Sequence, residues 1–244
     1  MNFKGKVVLV TGSSRSLGAQ IIKDFAKQGA TVIINYNNSK EEAINLERKI
    51  KEYNENVLCI KCDISNEDEI INMTNEIIKE FGTIDILVNN AAICNDTLFE
   101  EKNKRDFLKV LETNVIGTYL VTKHVAKHMK DGGRIINIAS DNGLDNGYPE
   151  SAEYDASKAG VISLTHNMAK YYAPKINVNC ICPGWIDTDM NKDLTKKQKK
   201  QIEENILLKR FAKKEEIANV VLFLASEEAS YINDSIIKVN GGTK

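Results

Sequence analysis

Apolar runs and amphipathic stretches alternate along the chain. Residues 6–11 (Lys-Val-Val-Leu-Val-Thr) are almost continuously apolar, as a strand covered on both faces must be. A helical pattern follows over 16–28 and stops at Gly29. The cycle then repeats. Strands are predicted at 31–34, 57–62, 84–88, 134–139, 176–181 and 236–239, with helices at 41–53 and from about Glu67. Longer helical stretches cover 100–131, 152–173 and 214–225. Strand–helix alternation of this kind predicts a parallel sheet with helices on both faces. No Pro/Gly-rich linker, repeat or change of composition divides the chain, so residues 1–244 are expected to form one domain. The segment 190–208 is polar and Lys-rich without a strand partner, which predicts an inserted helical element or substrate lid.

The turn from the first strand into the first helix reads Thr-Gly-Ser-Ser-Arg-Ser-Leu-Gly, residues 11–18. Gly12 and Gly18 let the backbone approach a pyrophosphate, and the helix N-terminus supplies N–H donors. The fold class that follows is a single-domain Rossmann fold, a doubly wound seven-stranded parallel sheet. A cofactor carrying a ribose 2′-OH is held by a carboxylate near the end of strand two. That stretch here is Asn35-Tyr36-Asn37-Asn38, with no acid, while Arg15 in the glycine loop can pair with a 2′-phosphate. NADP(H) is therefore expected ahead of NAD(H).

Ser140 precedes Tyr154 and Lys158, which stand four apart on a predicted helix and so share a face. At ~4 Å and an effective dielectric of ~20, the ammonium is worth about 4 kcal/mol to the phenolate, enough to bring a phenol from about 10 toward 7. Ser140 can hydrogen-bond a substrate oxygen and polarise it. The pair is suited to proton exchange at a carbonyl or alcohol.

Six ordered motifs resemble the short-chain dehydrogenase/reductase family over essentially the whole chain. Thr11, Gly12 and Gly18 match its TGxxxGxG, with Ser16 in place of the middle glycine. A positive φ at that position would cost Ser16 something; otherwise its hydroxyl is free to donate to the phosphate. Asn89-Asn90-Ala91-Ala92 resembles NNAG, Asn114 to Gly117 resembles NxxG, Ser140 and Tyr154/Lys158 match the family's Ser and YxxxK, and Pro183 to Thr188 resembles PGxxxT. The resemblance implies a catalytic set of Asn114, Ser140, Tyr154 and Lys158, with Asn114 holding a water that relays protons through Lys158. It implies a cofactor-binding set of Gly12, Ser13, Ser14, Arg15, Ser16, Leu17 and Gly18 in the loop, and Asn35 and Asn37 beyond strand two. Asp63 and Ile64 would meet the adenine, Asn90 and Ala91 the adenosine side. Pro183, Gly184, Ile186 and Thr188 would lie at the nicotinamide, and Tyr154 and Lys158 beside it, with Lys158 on the ribose hydroxyls. It also implies a homotetramer pairing the helices at 115–131 and 152–173; in the sequence, apolar positions such as Val161, Leu164 and Met168 on the second of these suit that contact.

Both ends of the chain resemble the family's 3-oxoacyl-[acyl-carrier-protein] reductase branch, which implies a ketone-to-alcohol conversion in fatty acid biosynthesis. The substrate is then a small carbonyl compound or one on acyl carrier protein. Family members acting on a sugar, polyol or steroid are the alternative, and a non-catalytic NADP(H)-binding sensor a remoter one. The pocket walls are expected from Ile93, Cys94, the loop 141–148, Trp185 and the lid residues Leu194, Ile202, Ile206 and Leu207. Asp141, Asp145, Glu150 and Glu153 near the mouth favour a polar substrate and would repel an anionic carrier; Lys192, Lys196, Lys197, Lys199 and Lys200 would attract one.

Charge and cysteine usage narrow the classes. Lys and Arg number 33 against 34 Asp and Glu, a net of −1, which argues for neither nucleic acid nor an anionic membrane as partner. No apolar run approaches the ~20 residues of a membrane helix, and the start has no cleavage site, so a cytoplasmic protein is expected. Cys59 and Cys62 form a CxxC on a strand, where i and i+3 point to opposite faces. With Cys180 and Cys182 they read as buried thiols. His124 and His128 lack a third ligand, and no metal site is expected.

Overall fold

The computed structural model describes residues 1–95, 97–145, 147–188, 191 and 194–243. Valine and isoleucine dominate the seven strands, β1 (Val7–Val10), β2 (Thr31–Tyr36), β3 (Val57–Lys61), β4 (Ile86–Asn89), β5 (Gly133–Ile138), β6 (Ile176–Pro183) and β7 (Ile236–Val239). They form one parallel sheet in the order β3-β2-β1-β4-β5-β6-β7. Every residue of β1, β4 and β5 is buried, because both sheet faces are covered. Val8, Val10, Ile34 and Ile136 pack under α1 (Ser16–Lys27) and α8 (Lys214–Ala225). Leu9, Ile33, Leu87 and Ile135 pack on the other face under α3 (Glu67–Phe81), α5 (Thr118–Val125) and α6 (Ala152–Tyr172). Cys59 packs on the first layer and Cys62 in the second, the opposed placement expected of i and i+3 on a strand. Burial pushes their thiols up, to about 11 and about 12, where they are unreactive.

The remaining helices are α2 (Lys40–Lys51), α4 (Lys104–Leu111) and α7 (Lys196–Asn205). The expected strand 84–88 begins two residues later, at Ile86. Asp85 is tied to β1 instead, donating its N–H to the Val7 carbonyl and accepting the Val7 N–H at its carboxylate, both at 2.8 Å. The helical stretch expected over 100–131 is divided into several elements. A 3₁₀ turn at Phe99–Glu101 precedes α4, whose start is fixed by a reciprocal Asn103/Asp106 capping box. Between α4 and α5 lies a π-helical turn, Glu112–Gly117, with Asn114 buried inside it. α7 occupies the expected lid; Met190 and Lys192 lie outside the described residues. Two residues expected at a subunit contact are core residues instead: Val161 is 2 % and Met168 5 % exposed, and Leu164 packs against the second layer. Those α6 positions face this chain's own sheet. Among the described residues no helix is long and apolar enough to cross a membrane.

The chain reverses its direction of sheet growth between β1 and β4, so the crevice beyond their carboxyl ends opens at a topological switch point.

Candidate active site

The loop from β1 into α1 is held from three sides. Thr11 Oγ1 accepts the N–H groups of Asn90 and Ala91, each at 3.0 Å. Asn90 Nδ2 donates to the Thr11 and Gly12 carbonyls at 2.9 and 3.2 Å. Asn35 accepts the Gly12 N–H at 2.9 Å and donates to the Cys62 carbonyl at 3.1 Å. Gly12 has φ +61°, and a Cβ there would lie 2.9 Å from Ala91 Cα. A Cβ on Gly18 would lie 2.6 Å from both Asn90 Nδ2 and the Gly12 carbonyl. Ser16 has φ +54°, so the position taken by a non-glycine does require the left-handed region. That conformation costs an L-residue roughly 1–2 kcal/mol.

No side chain caps the start of α1 and no acid lies in its first turn, so the orphan amides and the positive dipole end are available to an anion. They border a cavity of about 560 Å³ that runs from Asn37 to Thr188. Most of the expected cofactor set lines it: Gly12, Ser14, Arg15, Ser16, Leu17, Gly18, Asn35, Asn37, Asp63, Ile64, Asn90, Ala91, Tyr154, Lys158, Pro183, Gly184, Ile186 and Thr188. Ser13 does not. It is fully buried behind the loop, where its Oγ accepts the Asn35 N–H at 3.1 Å. The close-packed glycine turn, the uncapped helix end and the long cavity fit a dinucleotide. Lys109, Glu112 and Thr113 also reach the cavity wall, which sequence reasoning missed. Their only signal was position, just ahead of Asn114, and it becomes legible only with the π turn.

At the far end of β2, Asn37 Nδ2 donates to Asp63 at 2.7 Å. Burial pushes the Asp63 carboxyl up, but hydrogen bonds from Ser65 and Asn37 outweigh it and hold the group below its ordinary range. Asp63, the acid that Asn37 meets beyond the end of β2, is thus already engaged.

Ser140 follows β5 and Tyr154 lies in the first turn of α6, with the Ser140 hydroxyl near enough to the Tyr154 phenol to act on it. Lys158, one turn on, is 3 % exposed, with Nζ 5.3 Å from the Tyr154 ring centre and donating to the Ile138 carbonyl at 2.8 Å. The electrostatics correct the expectation that the ammonium draws Tyr154 toward neutrality. Burial pushes the Tyr154 phenol well above its ordinary value, and only the Ser140 hydrogen bond pulls it back. Burial likewise lowers Lys158, to about 8. Both groups share one desolvated pocket, and each is driven toward its neutral form.

Asn114 belongs to the same centre but not to the cavity wall. Its Nδ2 donates to the Ile93 carbonyl and to Ser157 Oγ, its Oδ1 accepts the Ile93 N–H, all at 2.9 Å, and its carbonyl accepts from Thr118 Oγ1 at 2.8 Å. The side chain is committed to holding the segment after β4 against α6.

The acidic mouth expected beside Tyr154 is reduced to two residues. Asp141 is 4 % exposed and Glu153 is buried against Lys102, whereas Asp145, paired with Lys238 at 2.6 Å, and Glu150 are exposed. Lys102 and Lys238 are partners remote in sequence from the acids they meet. Lys196, Lys197 and Lys200 are exposed on α7, whereas Lys199 lies 5.0 Å from the Phe211 ring. Phe211 in turn packs on Trp185 and Trp185 on Tyr148, with ring centres 5.6 and 5.9 Å apart. His124 is bound to Glu67 at 2.7 Å, and among the described residues no three His, Cys, Asp or Glu are placed to share an ion.

Comparison with known proteins places these features in context. A family model described as enoyl-(acyl carrier protein) reductase matches residues 12–244. A 3-oxoacyl-[acyl-carrier-protein] reductase, FabG, of Aquifex aeolicus is 40 % identical over 99 % of this chain and 98 % of its own. A short-chain dehydrogenase/reductase structure from Serratia marcescens superposes with a TM-score of 0.94 at 34 % identity, covering 99 % of each chain. A short chain dehydrogenase from Burkholderia cenocepacia, in complex with NADP, gives the same TM-score at 30 % identity, again over 99 % of each.

Proposed function

The chain belongs to the short-chain dehydrogenase/reductase family, and from that premise we propose that it is an NADP(H)-dependent reductase of 3-oxoacyl groups carried on acyl carrier protein. The observation that carries the reading is the Ser140–Tyr154 hydroxyl pair, with Lys158 below it, on the wall of the cavity that the glycine loop closes. Two hydroxyls converging on one point suit a carbonyl oxygen that becomes an alcohol; the enoyl thioester that the matched family model's description implies would also present a carbonyl oxygen, so the panel below includes an enoyl thioester as the competing substrate. The names of the curated relatives favour the acyl substrate. With Asp141 and Glu153 buried and Asp145 paired at the surface with Lys238, the acids at the mouth oppose a carrier less than their number suggests. The exposed lysines of α7 are the complementary charge.

When bound, the reduced nicotinamide supplies the hydride. Ser140 Oγ and the Tyr154 hydroxyl orient and polarise the ketone oxygen, and Tyr154 gives it a proton as the alcohol forms. The phenol is suited to that direction, since burial keeps it protonated. Lys158 stabilises the phenolate left behind and returns a proton to it from solvent, while Asn114 supports the centre by holding the segment after β4 against α6. Gly12 to Gly18 hold the pyrophosphate, and Asp63 and Ile64 meet the adenine. Ile186 and Thr188 bind the nicotinamide amide, and Lys158 the ribose hydroxyls. Arg15 and the neutral Asn37 favour a 2′-phosphate, and the NADP complex among the structural neighbours supports this. The segment 190–208 acts as the substrate lid, and the protein works in the cytosol as a homotetramer in fatty acid biosynthesis.

The test is NADPH oxidation over a panel of acetoacetyl thioester, an enoyl thioester, sugar ketones, diketones and steroid ketones. The acetoacetyl thioester is expected to turn over well above the others, with NADPH bound more tightly than NADH. Tyr154→Phe is expected to lower turnover by at least about a hundredfold while NADPH affinity stays within a few-fold. Robust turnover of the enoyl thioester or another ketone with none of any 3-oxoacyl thioester overturns the substrate; wild-type turnover in Tyr154→Phe overturns the mechanism.

A further inference from the structure

Tyr154 stands between two acids, Glu153 and Asp155; one is tied to the loop that follows the cavity-lining Ala92 and Ile93, the other to the loop that follows the cavity-lining Ser140. Lys102 Nζ lies 2.7 Å from Glu153 Oε2, with the two side chains 2 % and 0 % exposed. The same ammonium donates to the Asn95 carbonyl at 2.8 Å and to Thr97 Oγ1 at 3.3 Å. One buried cation therefore gathers the loop that leaves β4 and fastens it to the first turn of α6. Asp155 does the equivalent on the other side. Its carboxylate accepts Asn142 Nδ2 and the Tyr148 N–H, both at 2.7 Å, and Ser151 Oγ at 3.0 Å. The two loops also meet, the turn at Phe99–Glu101 packing against the turn at Pro149–Ser151.

Acids in a first helical turn are favoured by the dipole without any further role, but that preference is satisfied by exposed side chains. It does not account for a fully buried carboxylate whose contact to Lys102 is one of charge, with neither oxygen in hydrogen-bond alignment among the described residues. Nor is stability a sufficient reason, since an apolar pair of similar volume is often as stable as a buried ion pair or more so. What a buried pair does provide is a single allowed placement, because moving either partner strands the other's charge.

We propose that Glu153, through Lys102, and Asp155 directly are positioning residues that hold the two loops, as substrate walls, at fixed places relative to the Tyr154 hydroxyl. The inference rests on the ketone-reductase reading above. Substrate enters between two walls that are both referenced to the residue that gives it a proton. A ketone carbon then arrives at one distance and one angle from the phenol, and a misplacement of about 1 Å would lower turnover by up to about a hundredfold.

The test compares Lys102→Met/Glu153→Leu and Asp155→Ala with the wild type. The double variant exchanges the ion pair for an apolar one and is expected to keep or raise the melting temperature, with NADPH affinity by calorimetry within about threefold. In both variants kcat for the ketone is expected to fall about tenfold or more, with a smaller change in KM. A purely structural pair would be rescued in activity as well as in stability, so wild-type kcat and KM in the double variant overturn the proposal. Loss of NADPH affinity in step with the fall in kcat also overturns it. Should the variants not fold, hydrogen exchange on the wild-type protein decides. Amides of 97–102 and 147–151 are expected to be protected together with the start of α6, and exchange at the rate of unstructured loops overturns the proposal. A wild type that turns over no ketone counts against the proposed reaction, while the exchange measurement, which needs no substrate, still tests the positioning.

Discussion

Lys158 has one hydrogen-bond acceptor among the described residues, the Ile138 carbonyl, and no carboxylate within ion-pair distance. Its position is set by chemistry and opposed by solvation. Burial takes its ammonium from the ordinary 10.5 down to about 8. The unfolded chain therefore binds more protons than the folded one between those values, and stability rises with pH across that window. The penalty is complete below about pH 8 and gone above about pH 10.5, and at neutral pH it is on the order of 3 kcal/mol. Lys158→Met is accordingly expected to be inactive yet more stable than the wild type at pH 7. The lost bond to Ile138 reduces the gain, which should shrink as pH is raised toward 10.5. Denaturant unfolding of the two proteins at pH 7 and pH 10 checks this, and a variant destabilised equally at both would contradict it. The same burial explains why the direction of the Tyr154 shift was not legible from spacing. Four residues on a helix place two groups side by side, but only the surrounding chain decides how much water they keep.

At the scale of elements, the start of α1 carries a local conflict. Ser16 opens the helix at φ +54°, where a glycine would sit without strain. Ser16→Gly is expected to stabilise the fold by up to about 1 kcal/mol, read as a rise in melting temperature, because no side chain then occupies the left-handed region. A fall in melting temperature would show that the serine's contacts outweigh its backbone strain. The strands and their layers were legible in the sequence because burial on both faces leaves continuous apolar runs, and the alternation with helices admitted few topologies. The glycine turn and the Tyr154/Lys158 pair were legible because each requires particular residues at fixed spacing. The π turn around Asn114 was not, since no residue type marks it. Within it the Asn114 amide bonds Ile93 and Ser157, contacts made only after folding. The pairings of the acids near Tyr154 were not legible for the same reason. Asp145 finds Lys238 and Glu153 finds Lys102, partners that composition of the local loop does not reveal.

For the whole molecule, the exposed apolar side chains are unevenly placed. Leu108 is 54 %, Ile116 49 % and Tyr119 47 % exposed, and they follow one another along α4, the π turn and α5, with Leu98 and Phe99 on the turn before them. Burial of such side chains is worth roughly 1.5–3 kcal/mol each. A net charge of −1 offers little repulsion between copies. The proposed homotetramer is thus supported by this surface and not by the α6 residues first expected to carry it. Sedimentation at micromolar concentration should show four chains, and Ile116→Lys combined with Leu108→Lys should shift the boundary to smaller species. A wild-type monomer at that concentration would refute the assembly.

Trp185 is the only tryptophan in the chain. It is wedged between Tyr148 and Phe211, and Gly184 and Ile186 on either side of it border the cavity. The molecule therefore carries its own optical probe at the junction of cofactor cleft, substrate loop and the segment after α7. Its emission comes from one site, so any spectral change on mixing reports that junction without a label, and rapid-mixing traces can follow it in real time.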